Sequence, residues 1–128
     1  MDKFEAQQAF WSSFGVPAFE ENSVPDVPTL KEFGITDYIT YQKVNGVFDS
    51  SAVVNPNIWT RSATWERADA LQLAIQNRLE PGGERIFYDD GMIWATPENG
   101  GSFAKSFPPD PGDDQIKRYR LAVVLQFS

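Results

Sequence analysis

The chain has 128 residues, 41% of them hydrophobic and 14% aromatic, which is enough to bury one sizeable core and too few for two ordinary domains. Its 18 acidic and 11 basic residues leave a net charge of -7, which repels nucleic acid over the molecule as a whole and argues against phosphate-driven binding as the main activity. Cysteine and histidine are both absent, so disulfides, thiolate zinc sites, nucleophiles activated by imidazole and imidazole acid–base chemistry are excluded together.

The opening stretch, MDKFEAQQAFW, has no basic segment leading into an apolar run, and no stretch reaches the ~20 apolar residues of a membrane span. The expectation is a protein made and used in a cytoplasm, with no membrane partner. Asp2 followed by Glu5 has the form of a capping box, and Phe10, Trp11 and Phe14 cluster before the stop signal Gly15-Val16-Pro17, so a first helix is expected over 2–14. From Pro17 to Thr36, three prolines and mixed polarity break both helical and strand periodicity, which predicts a long ordered connector with at most one short turn. DYITYQKV follows as a strand, and Asn45-Gly46 predicts a hairpin whose second arm carries Val47 and Phe48.

A strand is expected over 58–62, then a helix capped by Ser62 or Thr64. Trp65, Ala68, Leu71, Ile75 and Leu79 form its apolar face, and Pro81-Gly82-Gly83 ends it. ERIFYDDGMIWAT predicts a hairpin turning at Asp90-Gly91. In the closing segment Tyr119, Leu121, Val123, Leu125 and Phe127 share one side of an extended chain, and Arg118 and Arg120 share the other. The predicted class is α+β: a mainly antiparallel sheet packed against two helices, one domain over 1–128, with a long acidic loop from Pro97 to Asp114.

The candidate chemical sites are weak. Asp89 and Asp90 are neighbours whose side chains would face opposite ways on a strand, and the glycine after them makes a turn sufficient explanation. Asp110, Asp113 and Asp114 lack the ligand spacing and closing Glu of a calcium-binding EF-hand loop. Gly82-Gly83 and Gly100-Gly101 do not lie in the strand–loop–helix setting, with its lysine, that a phosphate loop needs. Lys117, Arg118 and Arg120 form the one basic cluster; in so acidic a chain, ion pairing within the protein or across a subunit interface is the better reading. Phe103 and Phe107 lie in the acidic loop. Loop aromatics anchor protein–protein contacts or pin a loop to its own domain, and the sequence leaves both open.

The succession FWSSFGVPAFEENSVPD, YITY, IWTRSATWE, a glycine-rich hairpin and DPGDDQIKRYRLAVVLQF resembles the tail terminator, or minor tail protein, family of long-tailed bacteriophages and Gram-positive prophages. The likeness spans most of the chain, and its motifs are structural. The stretch TLKEFGIT, from Thr29 to Thr36, departs from the more compact family pattern. The resemblance implies a structural virion protein, assembled in the bacterial host cytoplasm, that forms a hexameric ring on the head-proximal end of the tail tube. Such a ring stops polymerisation of the tube protein and gives the head–tail connector its docking surface. It needs no catalytic residue, cofactor or metal, and DNA passes through it without specific binding. On this reading Asp110, Asp113 and Asp114 face the lumen or a neighbouring subunit, and Lys117, Arg118 or Arg120 make salt bridges between subunits. Two other readings are a head-completion connector ring and, more distantly, a small carbohydrate-binding or hydrolase domain using Trp59, Trp94 and carboxylates. Both tryptophans lie in strand-like patterns, which favours core packing for them.

Overall fold

A computed structural model of the chain describes residues 1–98, 101–107, 113 and 115–128. The elements run, in chain order, α1 (Lys3–Ser12), β1 (Ala18–Glu20), α2 (Val27–Glu32), β2 (Tyr38–Tyr41), β3 (Ser51–Val54), β4 (Asn57–Arg61), α3 (Glu66–Leu79), β5 (Glu84–Tyr88), β6 (Gly91–Pro97), β7 (Ala104–Phe107), β8 (Ile116–Leu121) and β9 (Val123–Phe127). The strands make two sheets, one of five strands in the order β1-β2-β4-β8-β7 and one of four in the order β3-β9-β6-β5. Every pairing is antiparallel except that of β1 with β2. The class is α+β, in a single compact domain.

Local chemistry explains the helices. The Asp2 carboxylate accepts from the backbone N–H of Phe4 and Glu5 at 2.9 and 2.8 Å, and the Glu5 side chain accepts from the Asp2 N–H at 3.1 Å, so the capping box is complete. α3 buries Ala68, Leu71, Ile75 and Leu79, the apolar face expected of it. Its N-cap is Trp65, which has no side-chain capping bond, so neither Ser62 nor Thr64 has the expected role; Ser62 Oγ accepts from Thr64 N–H instead.

There are three helices among the described residues, not two. The expected connector over 17–36 holds β1 and α2. Asp26 caps α2 by accepting from Thr29 N–H at 2.9 Å, and Pro28 occupies the first turn, where a missing N–H costs nothing. A proline read as a breaker is here a starter. The expected acidic loop is interrupted by β7, which pairs with β8. Residues 108–112 and 114, its most acidic part, lie outside the described residues.

Asn45-Gly46 does not turn a hairpin. The chain passes straight through, tied to α1 by Lys3 Nζ, which donates to Asn45 Oδ1 and to Gly46 O, and by buried Gln7, whose amide exchanges hydrogen bonds with both backbone groups of Val44. Gly46 is needed for close approach, because a Cβ there would collide with the Phe127 ring. The predicted β5–β6 hairpin is present, with Asp89-Asp90 as its turn and Gly91 paired to Tyr88, one residue earlier than expected.

The closing segment is two strands. β8 belongs to the five-stranded sheet and β9 to the four-stranded one, and the chain changes sheets at Ala122, whose N–H donates to Phe103 O and whose carbonyl accepts from Glu98 N–H. Alternation continues through the junction, so Leu121, Val123, Leu125 and Phe127 all enter one core with Ile58, Ile75, Leu79, Ile93 and Trp11. That core is drawn from both sheets and from α1 and α3.

Candidate functional site

The register of the five-stranded sheet places Tyr38 beside Trp59, Trp59 beside Arg118, and Arg118 beside Phe107. Their strand neighbours Ile39, Ile58 and Leu121 enter the core, so these four side chains share the opposite, outward face. They form a ladder across the sheet. Tyr38 and Trp59 stack with centroids 6.2 Å apart and planes 13° from parallel. The Arg118 guanidinium lies 4.9 Å from the Trp59 ring centroid and 4.4 Å from that of Phe107. Phe19 of β1 extends the row, edge-on to Tyr38 at 5.9 Å. Two hydrogen bonds fix the rungs: Trp59 Nε1 donates to Thr40 Oγ1 at 2.9 Å, and Arg118 Nε donates to Asn57 Oδ1 at 2.9 Å. Trp59 therefore lies on the outward face between Tyr38 and Arg118, half-buried, rather than in the core that its strand-like pattern favoured. Trp94 is half-buried and donates through Nε1 to Gly82 O at 2.7 Å.

The basic cluster splits. Lys117 is only 5% exposed and points inward, its ammonium 5.9 Å from the centroid of the Trp65 ring. Arg118 and Arg120 point outward together, and the adjacent row carries Asn57, Arg120 and Lys105 in register. Arg118, Arg120 and Lys105 make no ion pair among the described residues. Burial, and then the like charge of Arg120, lowers the pKa of the Arg118 guanidinium.

Phe103 packs against the core and Phe107 covers Arg118. Asp113 is fully engaged: Oδ2 accepts from Arg61 Nη1 at 2.6 Å and Oδ1 accepts from Gln115 N–H at 3.0 Å. Those two donors, Arg61 first, hold its carboxyl below the usual carboxylate range. Asp110 and Asp114 lie outside the described residues. No group of three or more acidic side chains capable of holding a metal occurs among the described residues, and no helix among them is long and apolar enough to cross a membrane.

Residue alternation already set Arg118 and Arg120 on one face of their strand. The partners Tyr38, Trp59 and Phe107 come from separate strands, so the ladder depends on pairing register, which no local pattern records. A second surface escaped the sequence reading. Val47, Phe48 and Phe87 stand 72%, 81% and 69% exposed, because the first two lie in a coil rather than in the second arm of a hairpin. No protein-family model matches the chain, and no curated protein matches it significantly.

Proposed function

We propose that the chain is the repeating subunit of a ring that caps the head-proximal end of a phage tail tube, stops the tube from growing and gives the head its docking surface. The sequence resemblance supplies the role. The observation that carries it into the structure is the ladder face, a surface of rings and of cations that make no ion pair among the described residues, with Tyr38, Trp59, Arg118 and Phe107 packed on one another rather than aimed at a reacting atom. Tryptophan, tyrosine and arginine are the residue types that anchor protein interfaces, and a surface fixed before contact loses little entropy on docking.

A cyclic ring repeats one heterologous contact, so each subunit must present two unlike surfaces. The ladder face and the exposed apolar pair Val47 and Phe48 meet that requirement. The net charge of -7 suits a conduit for DNA, since an attractive lining would retard a polyanion in transit. A lumen position for Asp110, Asp113 and Asp114 belongs to the same proposal, with Asp113 also bracing Arg61 within its own subunit.

The test is co-sedimentation of purified protein with tail tubes and, separately, with tailless heads, together with the length distribution of tubes polymerised in its presence. Binding to tubes and shortened tubes are expected. Binding to heads alone would transfer the protein to the connector side of the joint, and binding to neither would overturn the proposal.

A further inference from the structure

In this acidic protein, three of the 11 cationic side chains, Lys105, Arg118 and Arg120, lie together on one sheet face without an ion pair among the described residues. Arg118 is clamped by Trp59, Phe107 and Asn57, and Arg120 and Lys105 face each other across β8 and β7. Open clefts of about 450 and 330 Å³ flank the row, one lined by Lys105, Phe107 and Arg120 and the other by Tyr38, Trp59 and Arg118. Two carboxylates border them: Glu98 in the first, which has interactions of its own, and Glu21 in the second. Arg120 repels the neighbouring Arg118, and an incoming carboxylate offsets that repulsion.

The matching surface is at the far end of β9. That strand leaves the junction at Ala122 and runs to Phe127, and the β5–β6 turn meets it there through the reciprocal backbone bonds of Met92 and Ser128. Asp2 and Asp90 line a cleft of about 330 Å³ at this pole together with Lys3, Val47, Phe48 and Tyr88. Asp89 adjoins it in the turn, whereas Phe87 points to the opposite side of β5 from Tyr88. Carboxylates thus lie beside Val47 and Phe48, two of the most exposed large apolar side chains among the described residues. Exposed apolar groups rimmed by charge mark a protein-docking surface.

We propose that the acidic, apolar pole of one copy docks on the cationic, aromatic face of the next copy, Asp89 and Asp90 meeting Lys105 and Arg120 while Val47 and Phe48 cover the rings beside Arg118. This rests on the ring reading above and names its repeating contact. A second copy is the occupant because it carries the required complement, carboxylates beside bare apolar side chains, and is always present in equal number. The two surfaces are unlike, so the contact cannot be a two-fold pair; it is head-to-tail and closes a ring when the rotation permits. Arg118 supplies the rigid centre of the contact, and Lys105 and Arg120 its charged rim.

The test uses the full chain and two surface variants, Lys105→Glu with Arg120→Glu and Asp89→Lys with Asp90→Lys, each checked for native circular dichroism. Asp89 also pairs with the Met1 amino group, but that bond is exposed and its loss costs little. Sedimentation velocity over a concentration series is expected to show wild-type association that weakens with salt, a loss of at least about tenfold in each variant, and recovery when the two variants are mixed or combined in one chain. Wild-type protein that is monomeric throughout, variants that associate like wild type, or combined substitutions without recovery would each overturn the pairing. So would a labelled DNA oligonucleotide that binds wild type, fails to bind the Lys105/Arg120 variant and leaves self-association unchanged in that variant, because it would assign the face to phosphate. Tube growth separates this inference from the capping role. Association through these faces without any effect on tubes keeps the contact and discards the role, and capping by both variants at wild-type strength keeps the role and discards the contact.

Discussion

The outward faces of the two sheets are built from the same kinds of residue and end in different states. On the five-stranded sheet Tyr38, Trp59, Arg118 and Phe107 lie in one register row, and each covers the next. On the four-stranded sheet Val53 pairs with Val124, and Phe87 with Met92, but the two edge residues stand 57% and 69% exposed. Both faces follow from period-two alternation. What separates them is whether side chains on neighbouring strands are long enough, and close enough in register, to fill the space between them. The first face is rigid before anything binds, and the second is left bare at its edges.

Perturbations at the core common to both faces are expected to have the largest effect. Leu121, 1% exposed, stands next to the sheet junction, and Leu121→Ala is expected to cost about 2–5 kcal/mol in chemical denaturation with a single transition. Two separate transitions would mean that the sheets do not share a core and that the comparison joins two independent units. Gly46→Ala, which drives a methyl group into the Phe127 ring, is expected to cost about 1–3 kcal/mol by the same measurement. A neutral result there would place Gly46 away from the four-stranded sheet.

The comparison itself is sharpened by a double-mutant cycle at Trp59 and Arg118, with Trp59→Leu and Arg118→Met. A coupling of about 0.5–1 kcal/mol is expected from the stacked cation. Phe87→Ser, on the bare edge, is expected to change stability by no more than about 0.5 kcal/mol. Equal effects at the two sites would erase the distinction between a self-supporting face and an exposed one.

A pH-dependent effect is expected on the inner side of the ladder sheet. The Tyr119 hydroxyl donates to Asp69 of α3, and that bond, more than burial, pushes its pKa up to about 12. A raised folded-state value means that the folded chain holds the phenolic proton more tightly than the unfolded one. The stabilisation is therefore complete below the unfolded value near 10 and is lost as pH rises toward 12. Tyr119→Phe should reduce the alkaline slope of a stability–pH profile, to which Tyr38 and Tyr41, raised by burial, also contribute; an unchanged slope would assign it to those groups alone.

The legible parts of the fold are those set by local chemistry. α3 could be read because Ala68, Leu71, Ile75 and Leu79 repeat at helical steps, and the start of α1 because Asp2 and Glu5 have capping-box spacing. α2 was hidden by Pro28, since the same residue breaks a helix interior and suits a first turn, and only the Asp26 cap distinguishes the two. The change of sheet at Ala122 leaves no local trace, because apolar alternation runs on undisturbed from Leu121 to Val123. At the site, the common side of Arg118 and Arg120 was readable, and the same alternation turns Lys117 inward with Tyr119 and Leu121, whereas the rings against Arg118 required the register of three pairings.

The claim that gathers these observations is that the chain closes a ring on a tube end. Negative-stain microscopy of purified protein mixed with tail tubes, read beside the protein alone over a concentration series, tests it most directly. Rings of one diameter with a central hole, seated at one end of each tube, are the predicted result. Bare tube ends with protein that remains monomeric at every concentration would contradict it.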